Sequence, residues 1–383
     1  MGQSTIKMRR ILIIIGHYLP GYKDGGPVRS IKNLVDRMGT EYSIHILTAD
    51  RDSGDSEPYS DIVYDDWNNV GLSKVWYVKP GGFDKETVMK LACDMDIIYV
   101  CGCYNDYART VLSLKHGGKI NTPVVVAAMG LFRDGAMKSG YLKKKLYLTA
   151  LKTMGWFSNI SWSATSEIEV EEIRKQIGKN AKCYIASDLP RIYEESSCNH
   201  IKQEGELKLL FLSRICQQKN LDYVIECLKE IDVTIDFTIA GPDEDIEYVE
   251  FCKSKLKELP TNITYKFAGM IPSEGVVEYM RDFDAFILPT KSENYGHVIY
   301  ESMLAGLIPI LSDNTIWTDD IRNKELGYAI SLDNRYEFST VIQELADMGE
   351  DEFSKKRENV LNYIRKYSDS ISTEGYKKIF DIK

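Results

Sequence analysis

Short continuous apolar runs, each followed by a helical pattern, recur from Arg10 almost to the end of the chain. An apolar run without alternation suits a strand covered on both faces, and such strands belong to parallel sheets. Ile11-Leu12-Ile13-Ile14-Ile15 and Val124-Val125-Val126-Ala127-Ala128 are the plainest cases. In the first half the runs predict strands at 10–15, 43–49, 75–78, 97–101, 123–128, 161–165 and 183–186. Helical patterns fall between them, as at 27–38, where Pro27 suits the first helical position, and at 167–177. The rhythm breaks near Pro190, and Tyr193–Glu206 is polar and aperiodic, as a linker is. It restarts with strands at 207–212, 236–240, 263–268, 285–288 and 308–311. Helices are expected at 221–231, 245–259, 274–280 and 297–305. From Asp351 the tail reads as helix with a break at 368–372.

Two strand–helix series in tandem imply two doubly wound parallel-sheet domains of the Rossmann-like kind. The expected division is 1–192, a linker 193–206, 207–367, and a final helix 368–383 that crosses back to the first domain. Ligands in such sheets lie outside the carboxyl ends of strands, so the expected site is a central cleft that the two domains face. A length of 383 residues suits two domains, each able to bury its own core.

Composition narrows the function classes. The net charge is −9, with 25 Lys plus Arg against 21 Asp plus Glu in residues 1–190 and 23 against 36 in the remainder. An acidic chain without a basic arm is a poor nucleic-acid binder. The mildly basic first half fits an anionic surface or substrate, and equally a scatter of solvated charges. The eight cysteines form no Cys-x-x-Cys pair, which argues against a zinc site or redox motif. The first apolar run is far shorter than the ~20 residues of a spanning helix and lacks the features of a signal peptide. A cytoplasmic protein is expected.

Several constellations carry chemistry. Glu293-Asn294-Tyr295-Gly296-His297-Val298-Ile299-Tyr300-Glu301 follows a strand and enters a short helix. Glu301 lies among apolar residues, where an unpaired carboxylate is costly, and sugar or ribose hydroxyls would be suitable donors to it. The amides around Tyr295–His297 would face an anion. Read alone, the pair also fits a solvated loop acid and a helix-surface acid. Ser213-Arg214-Ile215-Cys216-Gln217-Gln218-Lys219-Asn220 also joins a strand to a helix. Two cations at a positive helix end are explained by a diphosphate between them, or are simply solvated. Gly25-Gly26-Pro27 lets backbone approach a ligand, or is a plain turn. There is no G-x-G-x-x-G fingerprint, which disfavours a dehydrogenase. Asp-x-Asp occurs at 94–96, 243–245 and 282–284, but the first and third read as element boundaries rather than ligands of a hard cation.

The segment Glu293–Asp313, with Glu-Ser-Met-Leu-Ala-Gly-Leu-Ile-Pro-Ile-Leu-Ser-Asp at its end, resembles the E-x7-E signature of family 4 glycosyltransferases, retaining enzymes of the two-domain GT-B type. The resemblance implies that Glu293 contacts the donor sugar and Glu301 the ribose, while Arg214 and Lys219 clamp the donor diphosphate. It places Gly25 and Gly26 against phosphate and sugar. It places Met270 and Ile271, in a turn after a strand, beside the base, and Asn294, Tyr295, Gly296 and His297 along the donor. Where many members carry a His-Gly pair on the acceptor side, this chain has Ala128-Met129-Gly130, and Arg133 is the substitute contact there. The implied activity is retaining transfer of a sugar from a nucleotide diphosphate sugar to a saccharide or lipid-linked saccharide. No metal or other cofactor is expected, because the two cations can do the electrostatic work. The family setting is bacterial capsule or O-antigen synthesis. A nucleotide-sugar 2-epimerase of the same fold and a non-enzymatic sugar-binding protein are the competing readings. The basic and aromatic stretch 138–157 fits peripheral contact with the inner face of the cell membrane, or a core helix with a solvated lysine face.

Overall fold

The computed structural model describes residues 8–133, 137, 140–193 and 201–382. They form two units, one of Met1–Leu189 with Ser372–Lys383 and one of Pro190–Ile371. Within the described residues the first unit carries β1 (Arg10–Ile14), α1 (Gly26–Met38), β2 (Ser43–Ala49), β3 (Asn68–Val70), β4 (Ser73–Val78), α2 (Lys85–Ala92), β5 (Ile97–Cys101) and α3 (Asp106–His116). It continues with β6 (Val124–Ala127), α4 (Tyr141–Thr153), β7 (Ser161–Ala164), α5 (Glu167–Ile177) and β8 (Cys183–Ile185). The second carries β9 (Glu206–Leu212), α6 (Leu221–Leu228), β10 (Thr234–Ala240), α7 (Ile246–Leu256), β11 (Ile263–Gly269), α8 (Val276–Met280), β12 (Ala285–Leu288) and α9 (His297–Leu304). After these come β13 (Ile308–Ser312), α10 (Thr318–Asn323), β14 (Tyr328–Ile330), α11 (Arg335–Asp347) and α12 (Glu350–Ser370), and α13 (Glu374–Phe380) returns to the first unit.

The sheet orders are β3-β4-β2-β1-β5-β6-β7-β8 and β11-β10-β9-β12-β13-β14. Every described pairing is parallel except β3 with β4. The expectation of doubly wound α/β architecture is met. The central strands are buried along nearly their whole length, as with Ile11–Ile14 and Ile97–Cys101, because helices cover both faces. Helix starts follow local chemistry. Asp84, Ser166 and Asp245 accept an N–H from the third residue on, satisfying donors that the first turn leaves open.

Two strands escape the sequence pattern. β3 is polar and lies at the sheet edge, and β14 spans only Tyr328-Ala329-Ile330. Neither is long enough to show a period. α6 ends at Leu228, short of the expected Ile231, and Asp245 caps α7 rather than opening it. The expected linker lies partly outside the described residues, since 194–200 are not among them. Lys202 is buried and fixed, its Nζ donating to the carbonyl of Ala346 at 2.9 Å.

The two units share a device at the middle of each sheet. Asp96 donates its N–H to Arg10 O at 2.8 Å and accepts Arg10 N–H at 2.7 Å. Asp284 does the same with Lys208, at 2.9 and 2.8 Å. Each aspartate stands just before a returning strand and pins it to the first strand of its unit, which sets the register of β5 on β1 and of β12 on β9. Asp96 and Asp284 belong to two of the Asp-x-Asp matches, and this pinning is the work they do here.

Candidate functional site

In the second unit the chain builds outward from β9 through β10 to β11, then returns to the other side of β9 as β12. The order reverses between β9 and β12, and ligands of open parallel sheets bind outside the carboxyl ends at such a reversal. The two loops that leave these ends are 213–220 and 289–296. They hold Arg214, Lys219 and Glu293, which the sequence had marked from separate motifs.

The loops are stitched together. Lys291 N–H and Thr290 Oγ1 both donate to Gln218 O, at 2.9 and 3.3 Å, and Gln218 Nε2 donates to Ser292 O at 3.3 Å. Lys219 Nζ then reaches Glu293 Oε2 at 2.5 Å. The side chains of that pair are only 8% and 16% exposed, so water screens them weakly and the attraction is substantial. The sequence missed Gln218 as a contributor because its work is done largely by its carbonyl, which any residue has.

Arg214 leaves the end of β9 and pairs with Glu244 at 2.7 Å, each about half exposed. A pair this open contributes little to stability and is easily exchanged for another anion. The turn that brings Glu244 here depends on Gly241, whose φ is +130°. A Cβ at Gly241 would stand 1.9 Å from Ser213 O, so β9 and β10 close together only because that residue has no side chain.

Gly296 opens α9 in the left-handed region, and a Cβ there would meet Ile299 and Glu293 side chains at 2.8 and 3.0 Å. Glu293 N–H donates to Asn314 O at 3.3 Å. Asn294 Oδ1 is buried and, among the described residues, has no hydrogen-bond partner. Buried acceptors are normally satisfied, so this one marks a place that a donor group fits. Tyr295 and His297 are buried, their rings 4.7 Å apart, and Trp317 Nε1 donates to Tyr295 O at 2.7 Å. Glu301 lies one turn further along α9 and is 3% exposed. The loop carboxylate, the loop lysine and the start of α9 are therefore one assembly.

The remaining marked residues are not in that contact set. Met270 and Ile271 are half-buried and follow the edge strand β11, with β10 between it and β9. Gly25, at φ +62°, caps α1 in the first unit and Gly26 opens it, with open space where a Cβ would be at each. Arg133 follows β6 in the first unit, its N–H donating to Gly130 O at 3.2 Å. Among the described residues there is no group of three or more His, Cys, Asp or Glu side chains placed to hold a metal ion. The described cysteines are unbridged, and burial pushes the Cys103 thiol up to about 12.

Comparison with known proteins shows a family match in the second unit and similar folds over nearly the whole chain. Residues 193–367 match the family described as glycosyl transferases group 1. Over 129 residues the chain is 32% identical to alpha-monoglucosyldiacylglycerol synthase of Streptococcus pneumoniae, a stretch covering 33% of this chain and 28% of that protein. The chain spans less than a third of the length of the curated relatives it matches. Among solved structures it is similar to WaaG, a glycosyltransferase involved in lipopolysaccharide biosynthesis, with TM-score 0.63 and 14% identity over 97% of this chain and 98% of that one. It is also similar to Anabaena HepE in complex with UDP and glucose, with TM-score 0.59 and 13% identity over 95% and 100%. The chain thus has the GT-B fold, and its second unit, which holds the Lys219–Glu293 assembly, matches the glycosyl transferases of group 1.

Proposed function

We propose that the chain is a retaining glycosyltransferase of the family 4 kind, which moves a sugar from a nucleotide diphosphate sugar to a saccharide or lipid-linked saccharide without a metal. The observation that carries the reading is the stitched pair of loops at the β9/β12 reversal, where Lys219 and Glu293 meet beside the orphan acceptor of Asn294. A diphosphate bound there exchanges the carboxylates now facing Lys219 and Arg214 for its own oxygens. Glu293 then accepts from a hydroxyl of the donor sugar, and Glu301 from the ribose. The bond from the sugar C1 to the leaving phosphate breaks, and Lys219 and Arg214 stabilise the charge that develops on the phosphate. The acceptor oxygen attacks on the same face, and its proton passes to the departing phosphate oxygen. Gly25 and Gly26 offer backbone to the phosphate or sugar, Met270 and Ile271 flank the base, and Arg133 contacts the acceptor.

The names of the similar proteins support bacterial envelope saccharide synthesis, and that of HepE supports UDP as the nucleotide. Peripheral membrane contact rests on α4 and its cap, where Tyr141, Leu142, Leu146 and the capping Met154 are exposed, the first three beside Lys143, Lys144 and Lys145. Residues 138 and 139 of the expected stretch lie outside the described residues. Among the described residues no helix is long and apolar enough to cross a membrane.

The test is thermal unfolding with UDP-, GDP-, ADP- and CDP-sugars, with and without EDTA, on wild type and Glu301→Ala. A ligand that binds only the folded state raises the midpoint by mass action. The reading expects a rise with one nucleotide class that survives EDTA and is weakened in Glu301→Ala. A transferred sugar of inverted anomeric configuration sinks the retaining part.

A further inference from the structure

The first unit has its own reversal. Its chain leaves β1 toward β2 and β4 and returns on the other side of β1 as β5, so a ligand site is due outside the carboxyl ends of those two strands. The segment leaving β1, residues 16–25, is held at every turn. Asp52 is 4% exposed and accepts the N–H groups of Tyr22, Lys23 and Ser53 at 2.8, 3.2 and 2.8 Å. Tyr77 donates its hydroxyl to Leu19 O at 2.6 Å, and Tyr59 to Tyr18 O at 3.3 Å. Gly16 O takes the N–H of Ala49 at 3.0 Å. A loop fixed this firmly presents its remaining side chains in set positions, which is the preorganisation that binding rewards.

Two of those side chains are polar and partly open, His17 at 26% and Asp24 at 34% exposure. His17 Nδ1 lies 2.9 Å from Arg51 O. A carbonyl can only accept, so Nδ1 carries a proton, and in the neutral ring the lone pair is on Nε2. Nε2 stands 4.0 Å from Asp24 Oδ2, so a ring nitrogen and a carboxylate oxygen lie side by side. The nearby Lys23 is engaged with Asp55. Across from them, Gly102 follows β5 at φ +81°, and Tyr107 has its hydroxyl committed to Cys101 O. A Cβ at Gly16 would stand 3.5 Å from the Tyr107 ring, so the end of β1 lies against the start of α3.

We propose that His17 and Asp24 bind neighbouring hydroxyls of a neutral saccharide acceptor. Sugar hydroxyls are donors of the right size for an imidazole nitrogen and a carboxylate oxygen spaced in this way. A phosphate or carboxylate ligand would meet the charge of Asp24. The assignment rests on the glycosyl-transfer reading and adds to it the residues that hold the acceptor. Neither residue lies in a spaced motif.

The test compares wild type with His17→Asn and Asp24→Asn. Asparagine keeps an N–H donor for Arg51 O but lacks the Nε2 acceptor, so a purely structural role for His17 would survive it. Donor use is read as UDP release from UDP-glucose, and transfer is measured to octyl glucoside, octyl galactoside and octyl N-acetylglucosaminide. The expected result is an acceptor KM raised about tenfold in each variant, the scale of losing one hydrogen bond to a polar ligand. Donor KM, UDP release to water and the melting temperature stay at wild-type values. An unchanged acceptor KM in both variants overturns the assignment, and so does a donor KM that rises as much as the acceptor KM. Wild type that releases UDP but transfers to none of the glycosides also overturns it while leaving the donor reading intact. Wild type that neither binds nor uses any nucleotide sugar overturns the assignment together with the reading beneath it.

Discussion

At the residue scale, the Lys219–Glu293 pair is the most exposed to experiment. Removing Lys219 takes from Glu293 the cation it faces in a partly buried place, which is more damaging than the pair is stabilising. Lys219→Met is expected to lower stability by about 2 kcal/mol, below the value for fully buried pairs, and to cut kcat at least about a hundredfold, the cost of losing a preorganised charge. The double variant Lys219→Met/Glu293→Gln should recover most of the stability and none of the activity. Denaturant melts and initial rates on the three proteins separate these outcomes, and full recovery of activity would refute the clamp. Asp188 makes a second prediction. Burial, opposed by a hydrogen bond from Ser30 and aided by Glu169, raises its carboxyl from 3.8 to about 6. The folded state then holds a proton that the unfolded chain releases, so this contribution is full below pH 4 and fades as pH rises through 6. Asp188→Asn should flatten the stability slope across pH 4–6 and stabilise the protein at pH 7.5 by up to about 3 kcal/mol. An unchanged slope would show that Asp188 titrates normally. The E-x7-E pair, Arg214 and Lys219 were legible because a motif has fixed spacing. Gln218, Asp188, His17 and the orphan Asn294 acceptor were not marked for the roles argued here, since those roles come from what faces them across the fold.

At the element scale, strand ends decide the site. Gly241→Ala places a Cβ on Ser213 O and asks an L-residue to hold φ +130°, so it should cost about 3 kcal/mol or more. It should also weaken nucleotide binding, since it separates the ends from which Arg214 and Glu244 project. Normal donor affinity in a folded Gly241→Ala protein would contradict this. The helices and inner strands could be read from apolar runs and caps because each carries its own period. β3 and β14 could not, because short strands take their place from the neighbours that offer hydrogen bonds. β11 shows the limit of pattern reading, being found where expected yet exposed along nearly its whole length. The Asp96 and Asp284 pins were visible only as boundary residues, and their role needs the partner strand.

At the scale of the whole molecule, two units with separate cores should melt as two transitions. UDP should raise chiefly the one belonging to the second unit, and calorimetry with and without UDP checks this. Stopping the chain at Ile371 removes α13, whose Tyr376, Ile379 and Phe380 are buried. Tyr376 and Phe380 pack on Tyr99, and Phe380 also on Tyr42. Side chains of that size contribute roughly 1.5–3 kcal/mol each, so the first-unit transition should fall or vanish while the second holds. Equal loss of both would mean that the units do not unfold independently. By itself the sequence determined the fold class, the two sheets and the motif residues, because periodicity, caps and spaced side chains act over a few residues. Only the tertiary structure decided which strand ends lie together at each reversal, that Lys219 and Glu293 neutralise one another, and which aromatic rings of the first unit the last helix packs against. Those are contacts between segments far apart in the chain, and their energies arise only once packing has brought the segments side by side.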